Sequence, residues 1–138
     1  MTNDEIRDQL ANSGSRSRAL LGGRFVALDA AAGTVRMAFD AGPDLITPTG
    51  VVQGGFVCAM LDETMAMAAL ANTNLTMWAP TLELKTSFIG PAQKGTLYCD
   101  GRVIRMGKSV AFLEGTLSDG QGQLVATASA TARMIPRK

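Results

Sequence analysis

Two adjacent carboxylates, Asp62 and Glu63, are the only charges in the run from Pro48 to Thr73, PTGVVQGGFVCAMLDETMAMAALANT. An acid inside an apolar helix costs free energy unless a partner or a reaction uses it. Eight residues before Asp62 stands Gly54, within Gln53-Gly54-Gly55 at the head of the same run. The first N–H groups of a helix lack intrahelical acceptors and carry the positive end of its dipole, which suits an oxygen gaining negative charge. Glycine there would let a ligand approach the backbone closely, or would only ease the turn and the packing of helix on sheet. Asp62 and Glu63 point about 100° apart on a helix, so they cannot share one role. A salt bridge or hydrogen bond to the sheet or to a partner chain is the structural reading of Glu63.

The chain contains no histidine. That removes Ser-His-Asp and Cys-His constellations, HExxH metalloproteases and any imidazole base. Only Cys58 and Cys99 are present as thiols, so a zinc site would have to be all carboxylate. Chemistry here must run on carboxylates, hydroxyls, amides and backbone dipoles, with neither metal nor redox cofactor expected.

These groups need elements to hold them. Apolar residues fall on almost every side of the run from Gly54, which predicts a long helix buried all round. Thr2 or Asn3 can cap a short first helix from about Asp4 to Ala11, with Ile6 and Leu10 as a thin apolar stripe. Residues Asn12 to Arg18 read as a loop. Arg24 to Ala30 and Thr34 to Phe39 read as strands turning at Ala31-Ala32-Gly33, and Ala41 to Thr47 as a connection with one helical turn. After a stop at Asn72-Thr73-Asn74, Pro80 to Ile89 alternates, with Leu82, Leu84, Thr86 and Phe88 on one face and Thr81, Glu83, Lys85 and Ser87 on the other. Thr96 to Met106, Ser109 to Leu117 and Gln123 to Ile135 complete six strands, joined by a tight turn at Gly107-Lys108 and a longer one at 118–122. The last strand puts Leu124, Ala126, Ala128, Ala130 and Ala132 on one face, small enough for a helix to lie close. The expected fold is α+β: a curved antiparallel six-stranded sheet around one long central helix, with a short N-terminal helix. A second copy of the chain is the simplest cover for the helix's far side.

At 138 residues the chain is one domain, with 1–18 as a flanking helix and loop, and large enough for a proper core. Net charge of +1 and 5% aromatics give no nucleic-acid footprint. The N-terminus lacks the apolar stretch of a secretory signal, and Asp62-Glu63 argue against a membrane span. Cys58 and Cys99 fit thiols in a reducing cytoplasm better than a disulfide.

Several stretches together resemble one family. They are Gly50 to Phe56 (GVVQGGF), Asp62 on the following helix, Pro80 to Leu84 (PTLEL), Phe88 to Ala92 (FIGPA) and Arg105 to Phe112 (RMGKSVAF). In order and spacing, from about Asp40 to the C-terminus, they resemble the hotdog-fold acyl-CoA thioesterases, the phenylacetate-pathway (PaaI-type) group above all. The family usually carries His-Gly-Gly where this chain has Gln53-Gly54-Gly55. The resemblance makes the Gly54 N–H the donor to the thioester oxygen and Asp62 the general base or nucleophile. Thr81 matches a hydroxyl that positions the attacking water in some relatives, unless it is an ordinary strand threonine. Gln53 could donate its amide N–H but cannot ionise.

Gly55 and Thr47 fall beside the implied site, Thr47 where relatives often have Asn, and Glu63 adjoins it. The Gly107-Lys108 turn matches a hairpin lying beside the pantetheine and nucleotide of CoA, so Arg105 and Lys108 could meet its phosphates or simply be solvated. The eight residues from Gly54 to Asp62 span about 12 Å of helix. One thioester therefore needs Gly54 of one subunit and Asp62 of another, in a homodimer or dimer of dimers. Acyl-CoA is the implied substrate, with CoA part of it rather than a cofactor. A hydratase would need a histidine; a non-catalytic acyl-CoA binder is the remaining alternative. Met60, Met65, Met67, Met77 and Trp78 could line an adaptable pocket or belong to the core.

Overall fold

In the computed structural model, which describes residues 1–138, the chain opens with helix α1 (Asn3–Ala11). Its cap is Thr2, whose hydroxyl accepts from the Glu5 N–H at 3.1 Å. The stretch expected as a loop contains a second short helix, α2 (Arg16–Leu20), capped by Ser15 accepting from the Arg18 N–H at 3.2 Å. The reason is local. A serine cap suffices to start one turn, and five residues are too few to display an apolar period.

Strands β1 (Gly23–Asp29) and β2 (Thr34–Asp40) follow, then a 3-10 turn at Pro43–Leu45 and the long helix α3 (Gly54–Asn72). Beyond α3 come β3 (Met77–Trp78), β4 (Thr81–Phe88), β5 (Thr96–Met106), β6 (Val110–Ser118), β7 (Leu124–Arg133) and β8 (Ile135–Pro136). The strand expected to run to Ile135 ends at Arg133. The Met134 N–H turns to Ser109 O, and β8 pairs with β3 as a separate two-stranded clasp.

Six antiparallel strands in the order β1-β2-β5-β6-β7-β4 wrap α3, which is the expected hotdog architecture. The expected alternation of β4 fails at its start. Thr81 pairs with Ala132 but Glu83 with Thr131, so Leu82 is an extra, bulged residue. The bulge moves Thr81 onto the same face as Leu84, Thr86 and Phe88, the face turned toward α3. β4 is an edge strand with an apolar border: Leu82, Phe88 and Ile89 are 56–60% exposed.

Met60, Leu61, Met65, Ala68, Ala69 and Ala71 of α3 are fully buried, each large side chain contributing about 1.5–3 kcal/mol. The alanines of β7 are buried against it as expected, except that Leu124 at the strand's start is exposed. Another close approach of helix to sheet lies at the cross-strand pair Gly101–Gly115 of β5 and β6. A Cβ on Gly101 would stand 2.7 Å from Thr64 O, and one on Gly115 would stand 3.1 Å from Met65 Cγ. α3 is not buried all round in the single chain. Gly55, Phe56, Ala59, Asp62, Glu63 and Ala66 keep some exposure.

Arg18 ties the N-terminal segment to this helix. It is only 7% exposed and donates Nε–H to Glu63 Oε1 at 2.8 Å and Nη1–H to Leu10 O at 2.6 Å. Its guanidinium also stacks on Phe25, 4.8 Å from the ring centre.

Candidate active site

α3 runs antiparallel to β4, and the helix positions Gly54, Cys58 and Asp62 form one stripe over it. The Gly54 Cα lies against the Phe88 ring, 3.3 Å from where its Cβ would be. Cys58 Sγ–H donates to Thr86 Oγ1 at 3.3 Å. Thr81 Oγ–H donates to Asp62 Oδ1 at 2.6 Å, a short charge-assisted contact. The β4 bulge makes this last pairing possible. Asp62 is half-buried, and its other oxygen has no protein partner.

At the other end of the stripe, the N–H groups of Gly54 and Gly55 find no acceptor in the protein, the state expected of a first helical turn. Gln53 is the cap of α3. Its Oε1 accepts from the Phe56 N–H at 3.3 Å, so the carboxamide is engaged through its oxygen, and the Nε2–H pair is free to donate. Thr47 sits in the turn before the helix, where its hydroxyl meets Thr49 Oγ1 at 2.9 Å and its carbonyl accepts from Gly50 N–H.

The remaining expected residues lie apart from this stripe. Glu63 turns away from Asp62, as the 100° rotation requires, and is held by Arg18. It borders a cleft of about 250 Å³ with Leu10, Met67, Leu70 and Trp78. Met60, Met65 and Met67 are core, Met77 packs on the core, and Trp78 is half exposed under the Arg137 guanidinium at 4.0 Å. The β5–β6 hairpin is at the Thr81 end of the sheet, because Met106, Ala111, Ala132 and Thr81 form one row across four strands. Three strand spacings put it about 14 Å from Thr81. Arg105 and Lys108 are exposed there and make no ion pair, while Gly107 has no room for a Cβ beside Val110 O, 2.4 Å away. No three acidic or thiol side chains converge as metal ligands would.

Residues 49–126 match the thioesterase superfamily. The chain belongs to that family. A phenylacetic acid degradation-related protein of Ralstonia eutropha JMP134, assigned as a thioesterase, is 35% identical, with TM-score 0.83 over 93% of this chain and 98% of that one. The PaaI protein of the E. coli phenylacetic acid degradation operon shares the fold at 16% identity, with TM-score 0.85 over 98% and 96%. So does smu.793 of Streptococcus mutans UA159, solved bound to acetyl CoA, at 22% identity and TM-score 0.74 over 83% and 90%. A protein of Saccharolobus solfataricus assigned as an esterase is 38% identical over 79 residues, 57% of this chain. The chain spans about half (56%) of that relative's length. The protein is thus a hotdog-fold member of the thioesterase superfamily, with PaaI-type proteins among its structural relatives.

Cys58 was legible only as a thiol. Its place between Gly54 and Asp62 is signalled by the i, i+4, i+8 spacing. Arg18 gave no signal, since its partners are distant in the chain.

Proposed function

We propose that the protein hydrolyses acyl-CoA thioesters to the free acid and CoA. The observation that carries this is the Asp62 carboxylate, presented by α3 and oriented by the Thr81 hydroxyl at 2.6 Å with one oxygen left to work. That oxygen takes a proton from water as the water attacks the thioester carbon, and the thiolate of CoA leaves and is protonated. Direct attack by Asp62, through an anhydride that water then cleaves, is the covalent form of the same chemistry. The carbonyl oxygen takes its negative charge against the free N–H of Gly54, with Gly55 N–H and Gln53 Nε2–H beside it. Thr81 orients the carboxylate rather than the water.

Gly54 and Asp62 of one helix are too far apart for one carbon, so the reacting pair comes from two subunits with antiparallel α3 helices. The exposed apolar edge of β4 supports such a dimer. Acetyl CoA in smu.793 supports CoA as the leaving group, and in this reading the exposed Arg105 and Lys108 meet its phosphates. Free Cys58 and Cys99 suit a reducing cytoplasm.

The test is thiol release from a panel of alkyl- and aryl-acyl-CoAs by wild type and Asp62→Asn. Turnover should fall at least about 100-fold in the variant. Full activity in Asp62→Asn would overturn the assignment, and binding without turnover by wild type would make the protein an acyl-CoA binder.

A further inference from the structure

Gly55 stands where helix propensity alone favours alanine. It is the second residue of α3, exposed, and its φ is not in the left-handed region. Glycine within a helix costs about 0.5–1 kcal/mol relative to alanine. No backbone outside the helix itself comes within 3.5 Å of a Cβ there. The nearest atom is Gln53 Oε1, 2.8 Å from the Cβ position, with Gln53 Cδ and Nε2 both at 3.5 Å. The only group that excludes a side chain at 55 is therefore the Gln53 carboxamide.

That carboxamide has a defined orientation. An N–H can be accepted only by its oxygen, and Oε1 accepts from Phe56 N–H. Helix caps are usually short: Ser, Thr, Asp or Asn. Glutamine is longer by a methylene than asparagine, and its end lies over residue 55 in order to reach Phe56. Fixing Oε1 on the helix leaves Nε2, 3.5 Å from the Cβ position of Gly55, free to donate.

We propose that Gly55 is a positioning residue: it clears the space in which the Gln53 carboxamide caps α3 and presents Nε2–H beside the Gly54 N–H. The inference rests on the thioester-hydrolase reading above, with Gln53 as a donor to the reacting oxygen or water. Alanine at 55 pushes aside the end of a flexible side chain rather than another element's backbone, so the helix survives while the donor is lost.

The experiment compares Gly55→Ala, Gln53→Ala and the double variant in melting temperature and in steady-state hydrolysis of the best acyl-CoA from the panel. Gly55→Ala should melt within about 5 °C of wild type, alanine's gain roughly offsetting the lost cap, while kcat falls about 10- to 100-fold, with KM little changed. The double variant should be no slower than Gln53→Ala within about twofold, because both changes remove one interaction. A slow Gln53→Ala beside a fully active Gly55→Ala overturns the inference alone. So does a further large loss in the double variant, which would mean that Gly55 meets substrate or partner directly. A fully active Gln53→Ala instead removes Gln53 from the proposed chemistry, and this inference with it.

Discussion

Gly101→Ala tests the seating of α3. The new Cβ would stand 2.7 Å from Thr64 O, 2.9 Å from Thr64 C and 3.0 Å from Met65 N, all helix backbone. Ordinary contact begins near 3.4 Å, so the carbonyl must retreat by about 0.7 Å, and it cannot rotate away as a side chain could. Overpacking of this kind costs about 1–3 kcal/mol. With an unfolding entropy of about 2.1 cal/mol/K per residue, a chain of this length should melt about 3–10 °C lower. Gly115→Ala is the internal control. Its nearest neighbour is the Met65 side chain at 3.1 Å, which can move, so it should cost less. Thermal melts followed by far-UV circular dichroism at fixed subunit concentration measure both. A Gly101→Ala protein that melts with wild type, or above Gly115→Ala, would refute the claim that backbone contact at this pair sets the helix's height over the sheet.

Three further outcomes are expected. Arg18→Met strands Glu63 without its partner in a mostly buried site and should cost about 3–5 kcal/mol, seen in urea unfolding, while turnover of the folded fraction at low temperature persists. Asp62→Asn should show the reverse, with stability kept and turnover lost. Gly54→Pro removes the N–H at the first helical position, where proline fits and where the extended backbone of Gln53 (φ −60, ψ 138) already suits a following proline. It should melt near wild type yet lose about 10²–10³ in kcat, and a fully active variant would exclude that N–H as the oxyanion donor.

Stability should also respond to pH at both extremes. Burial pushes the Cys99 thiol up to about 12 from 9.0, so the folded state keeps a proton that the unfolded chain releases. Its contribution is complete below pH 9 and is lost as pH rises toward 12. Urea midpoints measured from pH 8 to 11 should therefore fall less steeply in Cys99→Ala. Asp40 is held below the usual carboxylate range, first by the Thr96 hydroxyl at 2.6 Å and then by Arg24. Its contribution is present above pH 4 and fades as pH falls below that value, so the acid limb should be shallower in Thr96→Val.

The hotdog architecture was legible because its signals are local and repeated: an apolar helix of 19 residues and alternating strands with turn residues between them. Gly54 and Asp62 stood out as a glycine and an acid in an otherwise apolar run. What escaped depended on single residues or distant partners. One inserted residue at Leu82 inverts the face of Thr81, and alternation carries no mark of a bulge until the pairing is known. The Gly101–Gly115 seat needs two strands in register before either glycine has meaning. Arg18 reads as part of a polar loop because burying a guanidinium requires Glu63, Leu10 O and Phe25, none of them neighbours in the chain. Roles for Arg105 and Lys108 depend on a ligand outside the fold and came only with the resemblance.

The distance along α3 between the proposed donor at its head and the proposed acid two turns later has a consequence for genetics. In the two-subunit centre proposed above, neither a Gly54→Pro chain nor an Asp62→Asn chain would build a working centre alone. Co-expressed in equal amounts, they would pair at random, and each mixed pair would hold one centre with both defects and one with neither. About a quarter of all centres would then be whole, so two dead alleles together would restore growth on a thioester-dependent selection that neither supports by itself.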